Sequence, residues 1–180
     1  MESKHPARYT PRMTTVALLD RIRHDWHARE PELDTAPMLT FITLSRAQSL
    51  LGTAVRSTAA RAGLTSGTRD VLFTLYRSEP PQGLPPGELA ALLAVSPATI
   101  TGCADTLEER GLLTRTLDPD DRRSWRIALT DAGRDLVRTH LPEHLAFERQ
   151  LLAALTPDET AALEALLRKL IAHAEANALV

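Results

Sequence analysis

The sequence predicts a mainly α-helical protein with one small β-hairpin, arranged as a winged helix-turn-helix with further helices before and after it. Three observations lead to this class. Apolar residues recur at helical spacing through most of the chain, and two short helical segments near its middle are separated by only three or four residues. Two strand-like stretches with a charged turn between them follow directly.

The amino-acid composition excludes several classes of protein. Hydrophobic residues make up 43% and charged residues 24% of the 180 residues, which is globular composition, and aromatics at 4% imply an aliphatic core. One cysteine, Cys103, excludes an intramolecular disulfide and a Cys-based zinc cluster. The longest apolar run is too short for a bilayer and no signal segment opens the chain, so we expect a cytoplasmic protein without a membrane partner. The net charge of -2 requires any nucleic-acid role to come from a local cluster.

The N-terminal third predicts an arm followed by two helices. Residues 1–13 combine basic residues and prolines without periodicity, and we expect a mobile arm there. A first helix is predicted over 14–30, ended by the proline that follows it. A second, long helix is predicted over 37–62 with Gly63 as its stop. The apolar stripe of the first helix consists of Leu19, Ile22 and Trp26.

The middle of the chain predicts a helix-turn-helix. A helix capped by its threonine or serine is predicted over 65–76, and the proline-rich stretch 80–87 is expected to be a connector. Two short helices follow, over 88–94 and 97–110, with Ser96 as the N-cap of the second. The second helix of such a pair can enter the major groove of DNA.

The remaining segments predict a wing and two long helices. Strand-like stretches over 112–117 and 125–130 flank a charged turn, which together form a hairpin. Thr130 or Asp131 should cap the next helix, which Pro142 should kink. A last helix should start at a capping box over residues 156–159. Its apolar face consists of Leu163, Leu166, Leu167, Leu170, Ile171 and Ala174.

The apolar faces of the outer helices exceed what the winged core can cover, so we predict a homodimer formed by the N- and C-terminal helices. The predicted organisation has four parts. They are a mobile arm at 1–13, helices for dimerisation and a ligand cleft at 14–64, a DNA-binding winged lobe at 65–134, and dimerisation helices at 135–180.

Three segments within residues 83–134 carry a resemblance to a known family: GELAALLAVSPATIT, LEERGLLTR and DPDDRRSWRIALTDAGR. With the order of elements, they resemble the MarR family of bacterial transcription regulators. Four other segments resemble the urate-responsive, HucR-like branch of this family: LLDRIRHDW, APML, RDVLFTLYRSEPPQGL and LPEHL. An extra first helix with a tryptophan is characteristic of that branch. The resemblance implies a ligand-responsive dimeric repressor that binds an inverted-repeat operator.

The expected DNA contacts come from the second helix of the pair and from the wing. Guanidinium groups suit the narrow minor groove and its phosphates, and the resemblance implies that Arg123 enters this groove with Asp121 orienting it. The second helix of the pair, called the reading helix below, has no basic residue on its outer face. We therefore expect its sequence recognition to be weaker or to depend more on the shape of the DNA than on contacts to bases. The predicted DNA-binding residues are Ser96, Ala98, Thr99, Thr101, Gly102, Asp105, Thr106, Arg122, Arg123 and Arg126.

The resemblance also implies a ligand site. Trp26, Asp70 and Arg115 match three of its four positions in the urate-responsive branch, and Cys103 stands where that branch has an arginine. A thiol supplies neither a fixed charge nor a bidentate fork, so the effector could be urate or another small aromatic or phenolic anion. An Asp70–Arg115 pair would connect the helix before the connector to the first hairpin strand.

Other functions remain open. Because the outer face of the reading helix has no basic residue, the sequence is also compatible with a helical dimer that binds a ligand or partner and has weak or no DNA binding. Cys103 could instead act as a thiol redox sensor. His140 and His144 are expected to be surface histidines, and no metal site or cofactor is predicted. No Gly-rich phosphate loop, nucleophile elbow or HExxH motif occurs, so the sequence does not predict an enzyme.

Overall fold

The computed structural model describes residues 13–78, 82–118 and 125–178, and the chain divides into two compact units, Met1–Thr53 and Ala54–Val180. The predicted class is confirmed: the described residues form helices and one antiparallel hairpin. In chain order the elements are α1 (Thr15–Arg29), α2 (Ala36–Arg61), α3 (Ser66–Ser78), α4 (Pro86–Leu93), α5 (Pro97–Glu109), β1 (Leu113–Leu117), β2 (Trp125–Leu129), α6 (Asp131–Leu152) and α7 (Pro157–Ala176).

Most predicted boundaries hold to within two residues, and the start of α4 is the most informative difference. The sequence placed this helix from Glu88, with the preceding prolines in a connector. In the structure Pro85 is the extended N-cap and Pro86 the first helical residue. A proline fits this position because the first helical N–H has no partner to lose.

The first unit has little buried surface of its own. Thr14 caps α1 by accepting a hydrogen bond from the Ala17 amide at 3.2 Å, and none of the residues of α1 is buried. Along the part of α2 that lies in this unit, apolar side chains also face solvent. The exposed large apolar residues of the unit are Met13, Val16, Trp26, Leu33, Met38, Phe41, Leu44, Leu50 and Leu51.

The second unit contains a dense aliphatic core. The hairpin pairs Leu113 with Leu129 and Leu117 with Trp125, and an isolated bridge adds Leu84 beside Ile127. The sequence did not predict this bridge. The largest side chains with less than 2% exposure are Leu72, Leu89, Ile100, Leu107, Ile127, Val71 and Val137.

Gly83, directly before the bridge, is required by its surroundings. It has a φ of +78°, and a Cβ there would lie 2.5 Å from the Ile127 carbonyl oxygen. Glycine alone tolerates both the left-handed backbone and this close approach. The connector is therefore anchored to the hairpin where it enters α4.

The two C-terminal helices differ in burial. Thr130 caps α6, which continues through Pro142, and Thr156 forms the predicted capping box with Glu159 at the start of α7. None of the residues of α7 is buried, and its predicted apolar face is open: Leu163, Leu166, Leu170 and Ile171 are 43%, 61%, 51% and 58% exposed. The prediction of an uncovered apolar face is confirmed.

The expectation of surface histidines on α6 is wrong. His140 and His144 are 4% and 7% exposed, and both rings pack against Phe73 of α3. Nδ1 of His144 lies 2.9 Å from the Thr58 hydroxyl, and its Nε2 lies 3.2 Å from Glu148. Periodicity within α6 could not show that α2 and α3 cover this face.

Candidate nucleic-acid interface

The turn between α4 and α5 has the geometry of a helix-turn-helix. The two helices are bent by 108° at the break, within the range expected for this motif. Ala94 ends α4 in the left-handed conformation with a φ of 51°. Ser96 then begins α5, since its hydroxyl accepts a hydrogen bond from the Thr99 amide at 3.2 Å. Three residues thus turn the chain and provide the cap predicted at Ser96.

α5 has one fully buried stripe and one open face. Ile100, Ala104 and Leu107 are each 0% exposed, which fixes the helix on the core. A helix fixed in this way presents its opposite face in a defined orientation. All of the α5 positions predicted to contact DNA are exposed: Ala98, Thr99, Thr101, Gly102, Asp105 and Thr106, with the cap Ser96.

Arg115 of β1 contacts α5 rather than Asp70. Its guanidinium donates to Glu108 at 2.9 Å, to Asp105 at 2.6 Å and to the Thr101 carbonyl at 3.3 Å. The hypothetical pair of Asp70 and Arg115 is therefore not formed, and Asp70 pairs with Arg69 instead. Arg115 thus connects β1 directly to α5, because two carboxylates of α5 lie within hydrogen-bond distance of its guanidinium.

The opposite face of the hairpin carries Arg126. This side chain donates to Asp118 at 2.8 Å and to the Gly83 carbonyl at 3.3 Å, and it is 21% exposed. These contacts connect β2 to the residue that follows β1 and to the connector before α4. Arg122 and Arg123 lie outside the described residues.

Asp70 and Cys103 lie together beside α5. They line a small cavity of about 50 Å³ together with Gly67 and Thr99. Burial, and secondarily the nearby Asp70 carboxylate, raises the pKa of the Cys103 thiol. Less thiolate at neutral pH means less reactivity toward oxidants, which argues against the redox-sensor hypothesis.

Arg115 lines a different and larger cavity on the other side of Ile100. This cavity measures about 480 Å³ and lies between α5 and the hairpin. Trp125 contributes an indole that is 49% exposed. Within the described chain the remaining lining residues are Pro86, Ile100, Thr101, Glu108 and Ile127. Of the residues predicted to form one ligand site, the three that belong to the second unit do not share a cavity: Asp70 and Cys103 line one and Arg115 another.

Trp26 belongs to the first unit. It is 37% exposed and lines a groove of about 330 Å³ on α1 with Ile22, Asp25 and Arg29. This groove combines one aromatic ring with one guanidinium. In the first unit, Trp26 thus lies at a surface open to an aromatic ligand or to a second protein chain.

The sequence did not predict a buried series of hydrogen bonds around Arg69. Arg69, 5% exposed, donates to Asp70 at 2.8 Å, to the Val55 carbonyl at 2.9 Å and to the Thr58 hydroxyl at 3.3 Å. Thr58 in turn contacts His144. These contacts join α2, α3 and α6. Half of the buried residues of α3 are polar or charged, namely Thr68, Arg69 and Thr74, so the spacing of apolar residues gave no signal for Arg69.

Helices α4 and α5 at a defined angle, an open second helix and an antiparallel hairpin directly after it define a winged helix-turn-helix DNA-binding protein. Among the described residues no single helix is long and apolar enough to cross a membrane, although α4 and α5 together reach that length and apolarity as a bent pair. Over the same residues no cluster of three or more metal-ligating side chains occurs.

Comparisons with known proteins agree with this class. The MarR family model matches residues 64–125. The transcriptional regulator PecS of Dickeya dadantii is 34% identical over 152 residues, which cover 84% of this chain and 92% of PecS. Sco3205 of Streptomyces coelicolor, a MarR family regulator solved in complex with DNA, has a TM-score of 0.70 at 26% identity and covers 77% of this chain and 88% of its own. CouR of Rhodococcus jostii, solved with p-coumaroyl-CoA, has a TM-score of 0.62 at 30% identity and covers 71% and 88%.

The chain belongs to the MarR family of transcriptional regulators. Transcription regulation, DNA binding and the winged helix-turn-helix fold follow from this membership. PecS and Sco3205 are both named as transcriptional regulators.

Proposed function

We propose that this protein is a homodimeric repressor that binds an inverted-repeat operator in the cytoplasm and is released by a small aromatic or anionic effector. The observation that carries the proposal is the open face of α5 opposite a stripe with 0% exposure. A rigidly seated helix with a free face can be placed in a major groove without rearrangement.

The proposed DNA contacts are those predicted from the sequence. The N-terminal turn of α5 offers the hydroxyl groups of Ser96, Thr99 and Thr101 to phosphates, which a helix N-terminus favours. Arg122 and Arg123 would reach the minor groove from the wing. Ala98, Gly102 and Thr106 supply close approach or apolar contact, while Asp105 and Arg126 already have ionic partners in the protein.

The outer helices support a homodimer. An apolar face such as that of α7, with four large residues 43% to 61% exposed, is costly to leave in water. Covering it with a second copy would place two α5 helices on one side of a duplex. Half-sites about one helical turn, or roughly 10 base pairs, apart are expected for such an arrangement. We therefore retain 14–64 and 135–180 as the proposed dimerisation segments around the lobe 65–134.

The larger cavity beside Arg115 is the better-supported effector site. Its volume of about 480 Å³ is within the range of small-molecule sites. Trp125 offers an aromatic face and Arg115 a cation, which together suit a planar aromatic anion. The CouR structure contains p-coumaroyl-CoA, so a related regulator binds a ligand with an aromatic acyl group. Urate remains a candidate effector for the cavity beside Arg115, since it too is a planar anion.

A mobility-shift assay on the DNA upstream of this gene tests the proposal. The parent protein should shift this duplex in the presence of non-specific competitor, and affinity should fall as salt rises. Arg123→Ala should weaken binding about tenfold or more, an expected loss for a wing contact. Arg168→Ala, on the outer surface of α7, is the matched control and should bind like the parent.

The second candidate function is a dimeric module that binds a ligand or partner without reading DNA. The observation that favours it is the charge of α5, which contains Asp105, Glu108 and Glu109 but no basic residue. The same assay separates the two candidates. A shift that survives competitor supports the repressor, and no shift at low salt supports the module. Urate or p-coumaroyl-CoA should release the bound DNA if either is an effector.

A further inference from the structure

An acidic helix is a poor surface to bring near DNA. α5 contains three carboxylates and no basic residue, and Asp105 and Glu108 have side chains that are 54% and 41% exposed. Phosphates carry about one negative charge per 1.7 Å of duplex. If α5 faces DNA, as the proposed function requires, open carboxylates at these positions would oppose binding.

Arg115 meets both carboxylates at once. One terminal nitrogen lies 2.6 Å from Asp105 and the other lies 2.9 Å from Glu108, while the side chain itself is only 24% exposed. In the part of the chain that the structure describes, no other cation forms an ion pair with either carboxylate. Arg110, the nearest basic residue along the chain, instead donates to the Gly63 carbonyl at 2.7 Å.

The geometry of this contact suits an arginine and no other side chain. A planar guanidinium can direct its two terminal nitrogens at different acceptors, whereas a lysine ammonium is a point charge. Arg115 also donates to the Thr101 carbonyl at 3.3 Å. The contact therefore spans Thr101 to Glu108, about two turns of α5, and fixes this length of helix against β1.

We propose that Arg115 acts as an electrostatic mask of the reading helix: it neutralises part of the negative charge of Asp105 and Glu108 and allows α5 to approach the phosphates. It is a positioning residue, since it acts through α5 and not by touching DNA. One guanidinium cancels one of the two charges and orients the oxygens of both. An anion that drew Arg115 away would expose both carboxylates and so weaken DNA binding.

The test compares three variants with the parent on a labelled duplex from the DNA upstream of this gene. Arg115→Gln should lower affinity about tenfold, equivalent to about 1.4 kcal/mol. Adding Asp105→Asn and Glu108→Gln to that variant should restore affinity to within about threefold of the parent. In the parent background the same two substitutions should tighten binding, because they free the arginine charge.

The outcomes separate this inference from the proposed function. If the parent itself gives no shift, the proposed function fails and the mask fails with it. If the parent binds and Arg115→Gln binds equally well, only the mask is overturned. A triple variant that stays as weak as Arg115→Gln also overturns it, because a direct phosphate contact or a purely structural role would not be rescued by neutral side chains.

The Asp105→Asn and Glu108→Gln double variant retains Arg115 and so remains informative even if Arg115→Gln does not fold. Weaker binding by this double variant would contradict the mask. Circular dichroism melting of each variant checks that the lobe is intact. Arg115→Lys keeps the positive charge but loses the two terminal nitrogens that contact separate carboxylates. The affinity of this variant for DNA should lie between those of the parent and Arg115→Gln.

Discussion

The winged lobe and the outer helices use apolar residues in opposite ways. In the lobe, Leu89, Ile100 and Leu107 are each 0% exposed, so the chain itself covers them. In α7, Leu166 and Ile171 are 61% and 58% exposed, although both belong to an equally regular helical stripe. The comparison shows that helical periodicity identifies an apolar face but does not identify the surface that covers it.

The difference also separates two energetic roles. Apolar area buried within one chain stabilises the fold of that chain, whereas area left open becomes available for association. The reading helix belongs to the first group and the proposed dimer helices to the second. Substitutions in the two regions should therefore change different measured quantities.

The largest effect is expected in the lobe core. Leu107→Ala should lower the free energy of unfolding by about 3 kcal/mol, because it removes a fully buried side chain and leaves a cavity under α5. Urea denaturation measures the change. Leu92→Ala in α4 is the control, since Leu92 is 45% exposed, and should cost less than about 1 kcal/mol. Equal losses in the two variants would contradict the assigned core.

The next effect concerns association. Leu166→Glu together with Leu170→Glu should raise the dimer dissociation constant on the order of 100-fold, because it places charge in the proposed apolar interface. Sedimentation equilibrium measures this constant. Ala172→Glu adds a charge on the opposite face of α7 and should leave the dimer intact. A parent protein that is monomeric at micromolar concentration would refute the proposed interface.

A smaller effect is expected at the start of α7. Thr156→Ala removes the hydroxyl that accepts from the Glu159 amide at 3.2 Å, and loss of such a cap costs about 1 kcal/mol. Thermal melting should show the change. Thr160→Ala, one turn later, is the control, because its hydroxyl donates only to the Thr156 carbonyl. A Thr156→Ala melting temperature no lower than that of Thr160→Ala would speak against the capping box.

The smallest effect appears only on acidification. Burial, and then the neighbouring His144, lowers the pKa of His140 below the ordinary value of 6.5; Arg69 and Arg61 act in the same direction and Glu143 against it. The unfolded chain therefore binds more protons just below pH 6.5, so stability present above this pH is lost as the pH falls.

His140→Phe should make the free energy of unfolding less dependent on pH over this window. Denaturation at pH 7.5 and at pH 5.5 measures the difference between the two conditions. His173→Phe, an exposed position on α7, is the control and should keep the parental dependence. A His140→Phe variant with the parental pH dependence would remove His140 from the explanation.

Much of the fold could be predicted from the sequence because its signals are local. The caps at Ser96, Thr130 and Thr156 are side chain-to-backbone contacts over three residues. The open face of α5 followed from helical spacing in the same way. The start of α4 was placed too late because Pro85 and Pro86 fit both a connector and a helix N-terminus.

The ionic partners of the residues in the predicted ligand site could not be identified from the sequence. Each of its residues was identified by position in a pattern, and such a pattern does not say which charged groups meet. Asp70 pairs with the adjacent Arg69, and Arg115 pairs with two carboxylates of α5. Buried His140 and His144 were missed for the same reason, since the helices that cover them are distant in the chain.

The sequence by itself determined which segments are helix or strand, where most of the helices begin, and which face of each is apolar. Those properties depend on backbone contacts and side-chain spacing within a few residues. Only the tertiary structure decided which apolar faces are covered and which ionic partners Arg69, Arg115 and Arg126 take. Partner choice among charges depends on distances of a few ångström between separate elements, which packing sets and local sequence does not encode.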